Sequence, residues 1–194
     1  PLSSLIGWLE ILKLDNVEES TIVEIEKDIT RLQTITDRFS KIGSEPVLEK
    51  RDIIEDTKNT VDYLQTRVSQ QVNFYFKAPQ HPVFVEINPA LHSWTIENLV
   101  KNAIDAMKGK GSLNIVISEL EDMVKISITD TGKGIPKNQF SKVFEPGFTT
   151  KKRGWGLGLS LTKRIVQEYH KGKIKVAHSE IGKGTTMQIS YKTT

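Results

Sequence analysis

The ten residues Ile126-Ser127-Ile128-Thr129-Asp130-Thr131-Gly132-Lys133-Gly134-Ile135 constrain this chain more than any other stretch. Apolar and polar side chains alternate as far as Thr129, which predicts a strand with one buried face, and the strand runs straight into an acid and two glycines. A carboxylate at the end of a strand, beside glycines that let backbone come close, suits a flat ligand carrying a hydrogen-bond donor such as the exocyclic amine of adenine. Asp-Thr-Gly is also ordinary turn chemistry, and taken by themselves these residues favour the turn.

The remaining elements predict what that strand belongs to. Before position 43, Leu2, Leu5, Ile6, Leu9, Leu12 and then Ile22, Ile25, Ile29, Leu32, Ile35, Phe39, Ile42 step by three and four, which predicts two amphipathic helices. The short connection Asp15-Asn16-Val17-Glu18 makes them an antiparallel hairpin. Two helices bury little alone, so the continuous stripe predicts a homodimer through a four-helix bundle, with packing on the rest of the same chain as the alternative. Gly43-Ser44-Glu45-Pro46 breaks the pattern and predicts a boundary between domains at 1–43 and 47–194.

Beyond it the sequence predicts a short strand around Val47-Leu48, a helix over about 52–70, and strands at 72–77 and 83–87. A helix follows from Asn88-Pro89 to about Lys108, then strands at 112–118 and 123–129, a long glycine-rich loop over 132–156, a helix over 157–169, and strands near 173–177 and 185–191. Hairpin-joined strand pairs among helices in mixed order indicate an α+β class: a helical hairpin followed by an α/β-sandwich.

Composition matters here for what it excludes. Without cysteine there are no disulfides or thiolate metal sites, and no apolar run approaches the length of a membrane span or signal peptide. Twenty-seven basic against 24 acidic residues leave a surplus of only +3, which reads as a small excess rather than a basic face and gives no ground for nucleic-acid binding. The piece reads as cytoplasmic; beginning at Pro1 suggests an excised fragment, with a membrane reached only through absent upstream segments.

On the helix after Pro89, a rotation of 100° per residue puts Ile96, Val100, Ala103, Ile104 and Met107 on one side and Asn98, Asn102 and Asp105 opposite. A solvated face would more often carry Glu, Lys or Gln, which favour helix more than asparagine does. Oxygen groups on one face suit a hard cation such as Mg²⁺, although spacing alone does not establish one. The loop carries Phe140, Phe144 and Phe148, which must pack on something, followed by Thr149-Thr150 and Lys151-Lys152-Arg153. Hydroxyls and cations together suit a cover over phosphates, while for any single lysine a solvated turn is the simpler reading. Gly154-Trp155-Gly156-Leu157-Gly158-Leu159 then opens a helix whose first N–H groups favour an anion. None of His81, His92, His170 and His178 lies in the hairpin or pairs at metal-ligand spacing.

In this order the motifs resemble the catalytic ATP-binding domain of bacterial sensor histidine kinases, within the superfamily that includes gyrase, Hsp90 chaperones and MutL. Glu97 to Ala103 resembles the N box, Asp130 to Gly134 the G1 box, Phe144 to Lys151 the F box, Gly154 to Leu159 the G2 box, and Gly182-Lys183-Gly184-Thr185 the final glycine motif. Pro1-Leu2-Ser3-Ser4-Leu5 resembles the continuation of an H box, whose phosphoacceptor histidine would precede Pro1. The resemblance implies ATP and Mg²⁺ as cofactors, with Asn102 as metal ligand and Asp130 on the adenine amine. It implies a nucleotide site formed also by Gly132, Gly134, Ile135, Phe144, Thr149, Thr150, Lys151, Gly154, Gly156, Leu157, Gly158, Leu159 and Thr185, with 144–155 as a lid and Asn98 and Lys151 as catalytic residues. Hydrolytic members carry a glutamate where Asn98 stands, which argues for phosphoryl transfer to a protein histidine and on to a response regulator receiver domain. An ATPase of the superfamily and a non-catalytic nucleotide-gated dimer module are the rival readings. Trp155 is larger than the small residue expected between those glycines.

Overall fold

In a computed structural model of the chain, the structure describes residues 2–14, 22–23, 25–26, 29, 46–68, 71–151 and 156–194. It divides into two compact units, Pro1–Pro46 and Val47–Thr194. In the first, α1 spans Leu2–Leu14, with Leu9 buried. Residues 22, 23, 25, 26 and 29 are helical, Ile29 is buried, and Lys13 Nζ lies 2.7 Å from Glu26 Oε1. The apolar positions Leu32, Ile35, Phe39 and Ile42, and the connection at 15–18, lie outside the described residues.

The second unit runs in the order β1 (Glu49–Asp52), α2 (Ile53–Gln65), β2 (Val72–Lys77), β3 (Phe84–Ile87), α3 (Pro89–Ala106), β4 (Gly111–Leu120), β5 (Met123–Asp130), α4 (Gly158–Arg164), β6 (Lys173–Glu180) and β7 (Gly184–Lys192). Two 3₁₀ turns, Lys137–Gln139 and Lys142–Phe144, lie between β5 and α4. The strands make a five-stranded sheet in the order β2-β4-β5-β7-β6, and β1 pairs with β3 in a separate ribbon. Within the larger sheet β2 runs parallel to β4, and every other pair is antiparallel.

The alternation read from 123–129 is obeyed residue by residue. Val124, Ile126, Ile128 and Asp130 are buried while their neighbours are not. The inward residues of the sheet form one core with Ile96, Leu99, Val100, Ala103 and Met107 of α3 and with Ile53, Val61 and Leu64 of α2. Asn88 starts α3 as expected, its Oδ1 accepting the Leu91 N–H at 3.1 Å with proline next in line.

The first strand departs from expectation. It lies at Glu49–Asp52 rather than Val47-Leu48, and Val47 is 74% exposed. Asp52 accounts for the shift, because one carboxylate oxygen caps α2 through Ile54 N–H at 3.0 Å and also accepts from Val83 N–H at 3.2 Å. The helix after it ends at Gln65, and the helix expected over 157–169 is α-helical only to Arg164, continuing as a π-turn from Ile165 to Tyr169.

The outward face of the sheet carries Lys77, Lys125, Lys173, Lys175 and Lys192, all unburied. Five of the chain's 27 basic residues thus share one face, a grouping that net charge does not report. Four separate strands contribute these lysines, so no run of sequence displays them.

Candidate functional site

Asp130 closes β5 and is 5% exposed. Its Oδ1 accepts the Gly132 N–H at 2.7 Å. Burial pushes its carboxyl pKa up, while the backbone N–H groups of Gly132 and Thr185 pull it back. Thr185 faces it across the β5–β7 register and is itself buried. Ser179, on β6, ties the corner together: its Oγ accepts the Ile135 N–H at 2.7 Å, donates to Gly184 O at 2.9 Å and lies 2.9 Å from Thr185 Oγ1.

The glycines around Asp130 are required by close backbone contacts within the chain. A Cβ on Gly132 would lie 2.6 Å from the Ala106 carbonyl carbon, and one on Gly134, at φ +75°, would lie 2.2 Å from Glu180 O. On Gly184 the same atom would lie 1.8 Å from Asp130 O. The spacing read in sequence as room for a ligand is thus also what lets α3, the G1 loop and the β6–β7 turn close on one another. Gly182 N–H donates to Lys133 O at 2.9 Å across that junction.

The polar side of α3 divides into two places. Asn98 lies against α4, its Nδ2 donating to the fully buried Thr162 Oγ1 at 2.7 Å. A Cβ on Gly158 would meet Asn98 Oδ1 at 2.6 Å, so that glycine is what lets α4 come this near. Glu97 turns away to Lys101. One turn on, Asn102 Oδ1 and Asp105 Oδ2 accept from a single ammonium, Lys151 Nζ, at 2.9 and 2.6 Å. Two oxygens thus converge on one positive charge, and oxygen donors of this kind suit a hard cation.

The segment carrying Lys151 is closed at its base. Gly147 N–H donates to Gly156 O at 3.1 Å, and a Cβ on Gly156, at φ +65°, would strike the Gly147 carbonyl carbon at 2.4 Å. Phe144 is 7% exposed and belongs to the core, with Phe140 and Phe148 packed on it as the loop phenylalanines required. Thr149 Oγ1 accepts the Lys151 N–H at 3.1 Å, and Thr150 Oγ1 accepts from Lys133 Nζ at 2.7 Å. Leu157 precedes α4 and no side chain caps that helix; Leu159 packs on the core. Gly154 and Trp155 lie outside the described residues.

The structure therefore brings Asn102 and Lys151 together. It groups Asp130, Gly132, Gly134, Ile135 and Thr185 at one corner, and it sets Asn98 and Phe144 into packing. Sequence reasoning missed Ser179, Thr162 and the pairing of Lys133 with Thr150. Thr162 and Ser179 had no signal of their own: each is a lone hydroxyl whose partners lie on other elements.

With this geometry in hand, the chain can be set beside known proteins. Residues 91–194 match the family model described as histidine kinase-, DNA gyrase B-, and HSP90-like ATPase. Sporulation kinase E of Bacillus subtilis is 30% identical over 98% of this chain and 26% of its own length. Sensor histidine kinase ZraS of Escherichia coli is 39% identical over 62% of this chain and likewise 26% of its own. The chain thus spans about a quarter of the length of these curated relatives. Among solved structures, the nucleotide-free catalytic domain of histidine kinase ThkA superposes with a TM-score of 0.68 at 26% identity, covering 75% of this chain and 95% of that one.

Proposed function

Because the chain belongs to the histidine kinase-, DNA gyrase B- and HSP90-like ATPases, and among them to the catalytic cores of bacterial sensor histidine kinases, we propose that it binds Mg²⁺-ATP and passes the γ-phosphoryl group to a histidine. The acceptor lies on a helical hairpin formed by residues 1–43 and the segment before them, paired with a second copy in a four-helix bundle. A response regulator receiver domain takes the group from there, in the cytoplasm. Residues 47–194 are the ATP-binding domain.

The observation that carries this reading is the convergence of Asn102 and Asp105 on one positive charge supplied by Lys151. Asn102, with Asp105 beside it, would hold Mg²⁺, which when bound neutralises phosphate charge. Asp130 accepts from the adenine amine. Lys151 moves from the two oxygens to the phosphates, and Lys133 and Thr150 stand beside it as a second cation and hydroxyl. Asn98 acts as a positioning residue, since its amide is spent on Thr162 and holds α4 against α3. In the transfer, the bond from the γ-phosphorus to the β,γ-bridging oxygen breaks, a P–N bond to the imidazole forms, and ADP leaves with the bridging oxygen.

Positioning and charge neutralisation carry most of such a reaction. No carboxylate occupies the place of a water-activating base: that position is Asn98, and Glu97 is turned to Lys101. This favours transfer over hydrolysis. Incubation with γ-labelled ATP, on this chain and on one extended upstream through the H-box residues, tests the proposal. Acid-labile, base-stable label is expected on the extended form alone; steady phosphate release from both without protein labelling would replace the kinase by an ATPase.

A further inference from the structure

Among the described residues of 47–194, the core lies on one side of the five-stranded sheet. Most of its inward positions are buried in the core, and the side chains at its outward positions are half-buried or exposed. Across the outward face the registers gather charge of one sign. Lys125 and Lys173 both stand opposite Ser190, one on each side of β7, and Lys175 stands opposite Gln188. Lys77 and Lys192 flank them. Among the acidic residues of this sheet, Glu119 and Asp130 stand at inward register positions, and Glu180 stands outward at the end of β6, where it pairs with Lys183. None of the five lysines makes an ion pair or hydrogen bond among the described residues.

Shape and composition add to the charge. A concavity of about 440 Å³ opens among Lys125, Lys173, Lys175, Gln188 and Ser190. Exposed apolar side chains adjoin the lysines on the β2–β4 side of the sheet: Tyr75 is 57% exposed, Leu120 59% and Val116 37%. The chain's net +3 also conceals an uneven distribution, because residues 47–194 hold 22 basic and 15 acidic side chains, a net +7.

We propose that this open sheet face docks an acidic, amphipathic segment of a partner protein. Lys173 and Lys175, two residues apart along β6, stand roughly 6–7 Å apart, and Lys125 lies roughly 10 Å from Lys173 across β7, a pattern that carboxylates spaced along a helix can match. The exposed tyrosine, leucine and valine take the partner's apolar side chains, which a phosphodiester backbone does not offer. Such a surface gains more in encounter rate and selectivity than in intrinsic affinity, and it weakens with salt.

A synthetic peptide with glutamates and leucines at helical spacing is the probe. It is titrated into the isotope-labelled chain and followed by backbone amide shifts, beside a short DNA duplex and vesicles of phosphatidylglycerol. Shifts confined to the five strands of this sheet, largest at the lysines of β5 and β6, are expected for the peptide and are lost at high salt. The triple substitution Lys125→Gln, Lys173→Gln, Lys175→Gln should weaken peptide binding about tenfold or more. Its melting curve checks that it is folded, and the salt titration of the unsubstituted chain tests the same claim without it. Absence of shifts on this face, equal binding by the folded triple variant, or tighter engagement by the duplex or the vesicles would overturn the proposal.

Discussion

The corner around Asp130 and the contacts of Lys133 and Lys151 are held in opposite ways. The corner is buried and fixed by short bonds: Ser179 reaches three partners, Asp130 takes the Gly132 N–H, and glycines stand where any Cβ would collide. The Lys151 contacts are exposed, with 44% of the lysine side chain and 56% of the Asp105 side chain open to solvent. Ion pairs of that kind contribute roughly 0.2–1 kcal/mol. On the function proposed above, the contrast teaches that the end assigned to the base is built before the ligand arrives, whereas the end assigned to the phosphates is held by contacts weak enough to exchange.

Substituting the corner should therefore damage the fold. Gly184→Ala places a methyl 1.8 Å from Asp130 O at φ +120°, and the two strands must part to accept it. A loss of about 3–5 kcal/mol is expected in urea denaturation. A change below about 1 kcal/mol would show that the corner yields, and the contrast would fall with it.

The buried half of the molecule should also respond to acid. His92 and His170 are buried beside Tyr191, with ring centroids 6.0 and 5.8 Å from it. Burial lowers the pKa of His92 to about 3 and of His170 to about 4, the nearby His170 adding to the shift of His92. Both are neutral in the folded chain and would charge at 6.5 when unfolded, so their stabilisation is complete above pH 6.5 and is lost as pH falls toward 4 and 3. From pH 7 to pH 5 each should cost about 2 kcal/mol. Denaturation midpoints at the two pH values measure it, and a midpoint independent of pH there would contradict the assignment.

The smallest effect on stability belongs to the phosphate end. Lys151→Ala should shift the unfolding free energy by less than about 1 kcal/mol. A larger loss in the same denaturation assay would mean that Lys151 is part of the frame rather than an exchangeable contact.

Much of the frame was legible in the sequence because it rests on periodicity. The alternation at 123–129 and the stripe from Ile96 to Met107 each report a buried face directly, and Asn88-Pro89 names its own helix start. What could not be read depends on partners far along the chain. β1, with the sequence Glu-Lys-Arg-Asp, carries no apolar alternation at all and is a strand through its pairing with β3. Ser179 faces inward next to a register shift between Val176 and His178; a strand read with unbroken alternation would misplace it. Asn98 looked like a group aimed at chemistry, and only the position of Thr162, 64 residues on, reveals where its amide goes. The positive face escaped notice for the same reason, its lysines being distributed over four strands.

Calorimetric titration of ATP with Mg²⁺ into the chain and into Asp130→Ala tests the central claim most directly, that the buried corner recognises the base. Removing the carboxylate leaves the adenine amine without its acceptor, at a cost of roughly 1–3 kcal/mol, so affinity should fall about tenfold to a hundredfold. Equal affinity in the two proteins would contradict the account.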